Sequence, residues 1–363
     1  FVDGGPGSAI SVTGAPLKAP GRALDCGNSG TTLRLLMGVL AASSFESELA
    51  GDESLNRRPM ERVAAPLRRM GAQIQSTEGR PPVRVRGGQL RGASLTPEAA
   101  SAQVKSAILL AALSAEGRTT VHEKAATRDH TERMLRLFGA RVGVDGPEIS
   151  IDGPQKLKGT RLKIPGDPSS AAPFVVAALL LPDSEVTIDG VLLNPHRVRY
   201  LDVLKNMGAD IETTVTSSSD AEPAGRIVAR SSSLEGVTLS PDEVPAVVDE
   251  LPILAVAGAL ARGRFEVRGA SELRVKESDR IRSMVEGLGA MGTEIEELED
   301  GFRIEGGKPL RGAPVRSHGD HRIAMSLSVA GLTARGDTEV EDASVVSISL
   351  PSFFADLKRG TGD

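Results

Sequence analysis

LRRMGAQI, residues 67–74, decides how this chain is read, because its frame returns as LRLFGARV at 135–142, LKNMGADI at 204–211 and LGAMGTEI at 288–295. The intervals are 68, 69 and 84 residues, so the chain is built from a repeated unit. Each copy closes an amphipathic run such as MERVAAPLRRM (60–70) or HTERMLRLF (130–138), with apolar residues three and four apart. A glycine stops the helix and an alternating apolar pattern follows, which predicts a surface helix feeding a β-hairpin.

Working outward, a second helix type lies out of phase with the first. It is rich in Ala and Leu and begins near Ser29, Ser101, Ser169, Asp249 and Asp320. So few polar residues predict burial. Three of these helices run into Gly-x-x-x-Val strands, at Gly117–Val121, Gly263–Val267 and Gly336–Val340. The unit is therefore buried helix, strand, surface helix, hairpin. Hairpins are expected near 1–15, 73–87, 140–153, 210–230 and 293–306. The two ends do not match, since the chain opens inside a hairpin and stops in a surface helix at 351–359. Shifting the repeat back by one unit gives an expectation of six units, one incomplete, with roughly 70 residues absent in front. The Lys-, Gly- and Pro-rich stretch PQKLKGTRLKIPGDP (154–168) reads as the crossing between a lobe at 1–160 and a lobe at 161–363.

Composition removes several classes of function. A net charge of −5, with eight Phe, one Tyr and no Trp, offers neither a basic face nor a stacking platform for nucleic acid. A single cysteine makes no internal disulfide, and five scattered histidines show no metal-ligand spacing. No apolar run reaches the roughly 18 residues of a membrane span, and no signal segment opens the chain. A cytoplasmic protein without a metal is expected.

Polar residues cluster where buried helices begin, and the orphan N–H groups of a helix start attract anions. In GNSGTTLR (27–34), Gly27 and Gly30 permit close backbone approach while Ser29, Thr31 and Thr32 supply hydroxyls; a plain helix cap explains the same residues. SAQVKS (101–106) sets Ser101 at a cap with Gln103 and Lys105 in the first turn, Lys105 reading equally as a solvated side chain. In PGDPSSAAPF (165–174), Asp167, Ser169 and Ser170 read as caps. Asp249 and Glu250 precede LPILAVAGALA, where one carboxylate satisfies the helix dipole and the second is a candidate for proton transfer. RVKESDR (274–280) is expected to put Lys276 and Arg280 on one helical face beside Glu277, unless it is a solvated charge run. Asp320, His321 and Arg322 open an apolar helix, and Arg57 and Arg58 precede Pro59, where a planar fork suits phosphate or carboxylate. Together these starts predict a cleft lined with helix N-termini that receives two acidic small molecules.

GNSGTTLRLL, NRRPM, SAQVKSAILLAAL, TRDHTERML, PGDPSSAA, DELPILAVA, ELRVKESDRI and GDHRIAMS, in that order, closely resemble the 5-enolpyruvylshikimate-3-phosphate synthases across essentially the whole chain. The resemblance implies an α/β (α+β) fold: a two-domain inverse α/β barrel, the enolpyruvyl transferase fold, made of βαβαββ units. It implies transfer of the enolpyruvyl group of phosphoenolpyruvate to the 5-hydroxyl of shikimate 3-phosphate, with release of phosphate through a tetrahedral intermediate and no metal or organic cofactor. It also implies roles. Asp249 takes the hydroxyl proton and Glu277 is the second acid/base group. Ser101, Ala102, Gln103, Thr127, Arg128, Asp249 and Lys276 bind shikimate 3-phosphate. Asn28, Gly30, Arg58, Gln103, Arg280, His321 and Arg322 bind phosphoenolpyruvate, with Asp320 lining the same pocket. The sequence departs from the family pattern in lacking an amino-terminal Lys-Ser-x-x-x-Arg segment, and carries Glu272 and Ile348 where some members have Asn and Lys. That predicts a chain impaired alone and completed by a separate amino-terminal fragment, or a non-catalytic anion-binding remnant. The related sugar-nucleotide enolpyruvyl transferases share the architecture but use a mobile-loop cysteine, whereas Cys26 directly precedes a glycine-rich helix start.

Overall fold

The computed structural model describes residues 2–3, 9–218 and 222–361. The chain forms two units, one of residues 1–126 with 138–158, the other of 127–137 with 159–363. Thr127–Leu137 lies within the span 1–160 expected for one lobe, yet it folds with the second unit. Its polar residues explain this: Arg133 donates to Asp129, the buried Asn194 donates to Asp129 and Glu222, and His130 bonds Glu222.

In the first unit, a short strand Leu24–Asp25 leads into the buried helix Gly30–Leu40, the strand Glu46–Ala50, the surface helix Glu61–Arg69 and the hairpin Gln73–Thr77 and Arg80–Arg86. Leu24–Asp25 runs parallel to Glu46–Ala50, which pairs antiparallel with the second hairpin strand. Ser94–Leu95, Ala102–Ala112, Gly117–His122, Val142–Asp145 and Glu148–Gly153 repeat that arrangement with the same strand order. In the second unit it recurs around the buried helix Leu251–Leu260, with the surface helix Arg280–Ala290. Around Pro168–Leu180 the leading strand shrinks to a bridge between Gly166 and Val191. Pro314–Arg316, His321–Thr333, Glu339–Glu341 and Phe353–Thr361 begin a further copy, which no hairpin follows among the described residues. All five expected hairpins are present; in the first, Val2–Asp3 pairs with Ser11–Val12, and residues 4–8 lie outside the described residues.

The repeated frame ends each surface helix for a definable reason. Gly71, Gly139, Gly208 and Gly292 have φ of +109°, +86°, +96° and +90°, a left-handed turn that other residues enter at a cost. Beyond three of them the next N–H reaches back to the leucine of the frame, as Ala72 to Leu67 at 3.1 Å, Ala209 to Leu204 at 3.0 Å and Thr293 to Leu288 at 3.0 Å. Those bonds satisfy last-turn carbonyls. The leucines themselves are buried, each contributing about 1.5–3 kcal/mol.

The core of the second unit is formed where the buried helices Pro168–Leu180, Leu251–Leu260 and His321–Thr333 pack on one another. Such a helix has no charged face, so its charged residues gather at its start. A second repeated frame escapes sequence reading: Leu-x-Gly at 90–92, 234–236 and 310–312 carries the chain into each short leading strand. No helix among the described residues is long and apolar enough to cross a membrane.

Candidate active site

In the first unit, Ser29 caps the helix Gly30–Leu40, its hydroxyl accepting the Thr32 N–H at 3.1 Å. The anion-friendly features therefore lie beside the cap. Arg58 donates to Asn28 Oδ1 at 3.2 Å, and Asn28 donates to Asp52 at 2.6 Å. Arg57 turns outward to Glu53 and remains in solvent. Arg34, a residue the sequence reading did not single out, is buried and donates to Gln103 Oε1 and, at 3.3 Å, to the Pro59 carbonyl. Gln103 in turn donates to Thr31 Oγ1 at 2.8 Å. A Cβ built on Gly30 would lie 3.4 Å from Arg58 Nη1 and 3.5 Å from Arg34 Nη1, so two guanidinium groups flank that glycine. The signal for Arg34 was its position one helical turn after Gly30 in an otherwise apolar helix.

Ser101 stands at the N-cap of Ala102–Ala112, but its side chain does not make the capping bond, and Ala102 contributes a first-turn N–H. Lys105 is not solvated. It is 2 % exposed and pairs with Glu123 at 3.0 Å, directly behind this helix start.

In the second unit the cations converge on Asp249. Arg128 Nη2 lies 2.7 Å from Asp249 Oδ2, while Lys276 Nζ and Arg280 Nη1 each lie 3.6 Å from Oδ1. Arg322 Nη1 donates to the Asp249 carbonyl at 3.0 Å. Burial opposes the charge of this carboxylate, but Arg322, Lys276, Arg128 and Arg280 together hold its pKa well below the usual range. Thr127 is half-buried beside Arg128.

Lys276 and Arg280 do not share a helical face as expected. Lys276 is extended and the helix begins only at Arg280, capped by Asp279, so they reach Asp249 from a bend rather than from one helix. Arg280 is 1 % exposed and bonds Glu277 Oε2 at 2.7 Å and Asp320 at 2.7 Å. Its Nη1 is buried without a hydrogen-bond partner. Arg274 departs to Asp279, Glu297 and the Leu298 carbonyl, a staple on the hairpin. Asp320 caps the helix His321–Thr333 and is fully buried, which makes it the holder of Arg280 rather than a lining group. Burial lowers the pKa of His321 at that helix start, favouring the neutral imidazole. Neither Asp249 nor Glu250 makes the cap expected of it; Glu250 accepts a bond from the Ser169 hydroxyl, so Ser169 is not a simple cap either.

The EPSP synthase (3-phosphoshikimate 1-carboxyvinyltransferase) family model matches residues 6–357. The chain belongs to this family. A 3-phosphoshikimate 1-carboxyvinyltransferase of Geobacillus kaustophilus is 49% identical over 97% of the chain and 84% of the relative; one of Carboxydothermus hydrogenoformans is 52% identical over 94% and 80%. The solved EPSP synthase of Acinetobacter baumannii superposes with a TM-score of 0.87 at 45% identity, covering 99% of this chain and 84% of that one. The enolpyruvyl transferase NikO of Streptomyces tendae, at TM-score 0.73 and 21% identity, shares the fold. The enolpyruvyl transferase fold is thus that of this EPSP synthase family member. Cys26, on which the sugar-nucleotide alternative turned, is buried, and burial followed by the charge of Asp25 raises its thiol pKa.

Proposed function

We propose that the two clusters carry the carboxyvinyl transfer of the EPSP synthase family, from phosphoenolpyruvate to the 5-hydroxyl of shikimate 3-phosphate. In the first unit, Ser101, Ala102 and Gln103 bind shikimate 3-phosphate, and Asn28, Gly30, Arg58 and Gln103 bind phosphoenolpyruvate. In the second, Thr127, Arg128, Asp249 and Lys276 bind shikimate 3-phosphate, and Arg280, His321 and Arg322 bind phosphoenolpyruvate.

The chemistry follows from the charges. Asp249 accepts the hydroxyl proton as the oxygen bonds to C2 of phosphoenolpyruvate, and a proton reaches C3 of the methylene. Breakage of the C2–O bond to phosphate, with loss of a methyl proton, then gives the enol ether. Glu277, which holds Arg280, is the second acid/base group. In the free protein Asp249 is a weak base because four cations face it. Anionic substrates neutralise those cations and raise its basicity at the moment it is needed. The observation that carries this reading is the buried Arg280 Nη1, which lacks a hydrogen bond and lies 3.6 Å from Asp249 Oδ1. A buried N–H of this kind is costly without an acceptor, and a substrate oxyanion supplies one.

Substrates carrying several negative charges do not cross a bilayer unaided, which supports a cytoplasmic place of action. The comparisons lend no support to a separate amino-terminal fragment or to an impaired chain. The test is Asp249→Ala, followed by phosphate release. With general-base catalysis contributing about 10²–10⁴-fold, kcat is expected to fall at least about 100-fold with the fold retained. Kinetics close to wild type would remove Asp249 from this role.

A further inference from the structure

Glu250 follows Asp249 directly and is 2 % exposed, yet it makes no cap to the helix it precedes. A carboxyl this deep is unfavourable without polar partners, and its Oε1 is met from two sides. On one side the buried Ser169 hydroxyl donates to Oε1. Arg197 donates to that same hydroxyl at 2.9 Å and to Asp167 Oδ1 at 2.7 Å, so Ser169 accepts from a cation and its proton is directed at Glu250. On the other side Arg322 Nη1 lies 3.6 Å from Glu250 Oε1 while donating to the Asp249 carbonyl at 3.0 Å. The guanidinium is thereby held between the main chain of residue 249 and the side chain of residue 250.

Resting on the assignment of Arg322 to phosphoenolpyruvate, we propose that Glu250, oriented by Ser169, is a positioning residue for Arg322. An arginine stem has several rotatable bonds, and the Asp249 carboxylate, whose pKa Arg322 already lowers, competes for it. Glu250 draws the guanidinium toward itself. That leaves the Asp249 carboxylate for the hydroxyl and the outer face of Arg322 for the donor substrate. Ser169, Glu250 and Arg322 come from the starts of three different buried helices, so the device requires all three repeats of the second unit.

The test measures both KM values, kcat and melting temperature for Glu250→Gln, Ser169→Ala, Ser169→Thr, Arg322→Lys and the double variant Glu250→Gln/Arg322→Lys. Gln keeps the volume and the acceptor for Ser169 but removes the charge facing Arg322. Glu250→Gln is expected to raise KM for phosphoenolpyruvate about tenfold, since small misplacements of a binding group cost up to about 100-fold. KM for shikimate 3-phosphate is expected to stay within about twofold and the melting temperature not to fall. Ser169→Ala follows in the same direction and Ser169→Thr restores wild-type values. The double variant is expected to be no worse than Arg322→Lys, because the two groups act as one. If Arg322→Lys raises the phosphoenolpyruvate KM and Glu250→Gln does not, or if their effects multiply, the positioning role is overturned. If Arg322→Lys leaves that KM unchanged, the assignment of Arg322 itself fails and the inference falls with it.

Discussion

Gly30→Ala separates the role of the first cluster in binding from its role in folding. The added methyl would sit 3.4 Å from Arg58 Nη1 and 3.5 Å from Arg34 Nη1, ordinary contact distances that demand no movement of the free protein. Gly30 is the first residue of its helix and does not need a left-handed backbone, so alanine gains helix propensity, at most about 1 kcal/mol. Stability is therefore expected to hold or rise. The methyl nonetheless occupies the ground beside both guanidinium tips that the oxyanion proposed to bind there must reach. Losing one hydrogen bond to a charged group costs about 1.5–3 kcal/mol, which at about 1.4 kcal/mol per decade is roughly a 10–150-fold loss. The loss is expected in KM for phosphoenolpyruvate, with KM for shikimate 3-phosphate within about twofold. Phosphate release under saturation of each substrate in turn reads both constants, and a thermal melt reads the fold. An unchanged phosphoenolpyruvate KM, or a parallel rise in both constants with a lower melting temperature, refutes the placement of the anion beside Gly30.

Three further outcomes are expected. Lys105→Met removes the buried ammonium that pairs with the half-buried Glu123 carboxylate and is expected to cost up to about 3–5 kcal/mol, with most of it recovered in Lys105→Met/Glu123→Leu; urea unfolding midpoints check both. Gly208→Ala forces a side chain into the left-handed turn at φ +96° and is expected to lower stability by about 1–2 kcal/mol without altering either KM. Asp249 has a folded pKa well below its ordinary value near 3.8, so it contributes stability above that value and loses it as pH falls through the folded pKa. Asp249→Asn is accordingly expected to lower the melting temperature at pH 7 and to approach wild type under strongly acid conditions. A difference that widens on acidification contradicts the assignment.

What the sequence made legible was whatever depends on local periodicity. The Leu67, Leu135, Leu204 and Leu288 frames mark helix ends because a left-handed glycine and a buried leucine must stand at fixed spacing, and that spacing survives in a one-dimensional pattern. The leading strands did not emerge. Ser94–Leu95 and Thr238–Leu239 have two residues each, too few to show alternation, and they are strands only because a longer neighbour pairs with them. The site followed the same division. Asp249, Arg322 and Gly30 were singled out because helix starts are local features. The use of Ser169 by Glu250 joins residues 81 positions apart, and the sequence could offer only the local alternative, a cap. Lys276 and Arg280 were expected to act together from helical spacing, whereas a bend between them is what brings both to one carboxylate.

Repetition also explains why an apolar scaffold ends in so dense a cluster of charge. The helices Pro168–Leu180, Leu251–Leu260 and His321–Thr333 are buried along most of their length and pack on one another, so the charged residues lie at their starts. Their starts are brought together by that packing, as the Ser169–Glu250 and Arg322–Asp249 bonds demonstrate. Three similar helix starts would offer three similar polarised tips, which alone attract anions without discriminating among them. Discrimination needs the equivalent positions to differ, and they do: Asp167 and Ser169 in one copy, Asp249 and Glu250 in the next, Asp320 and Arg322 in the third. The proposed base, the proposed positioning acid and the guanidinium proposed to meet substrate can be supplied at one point only because the fold presents that point three times.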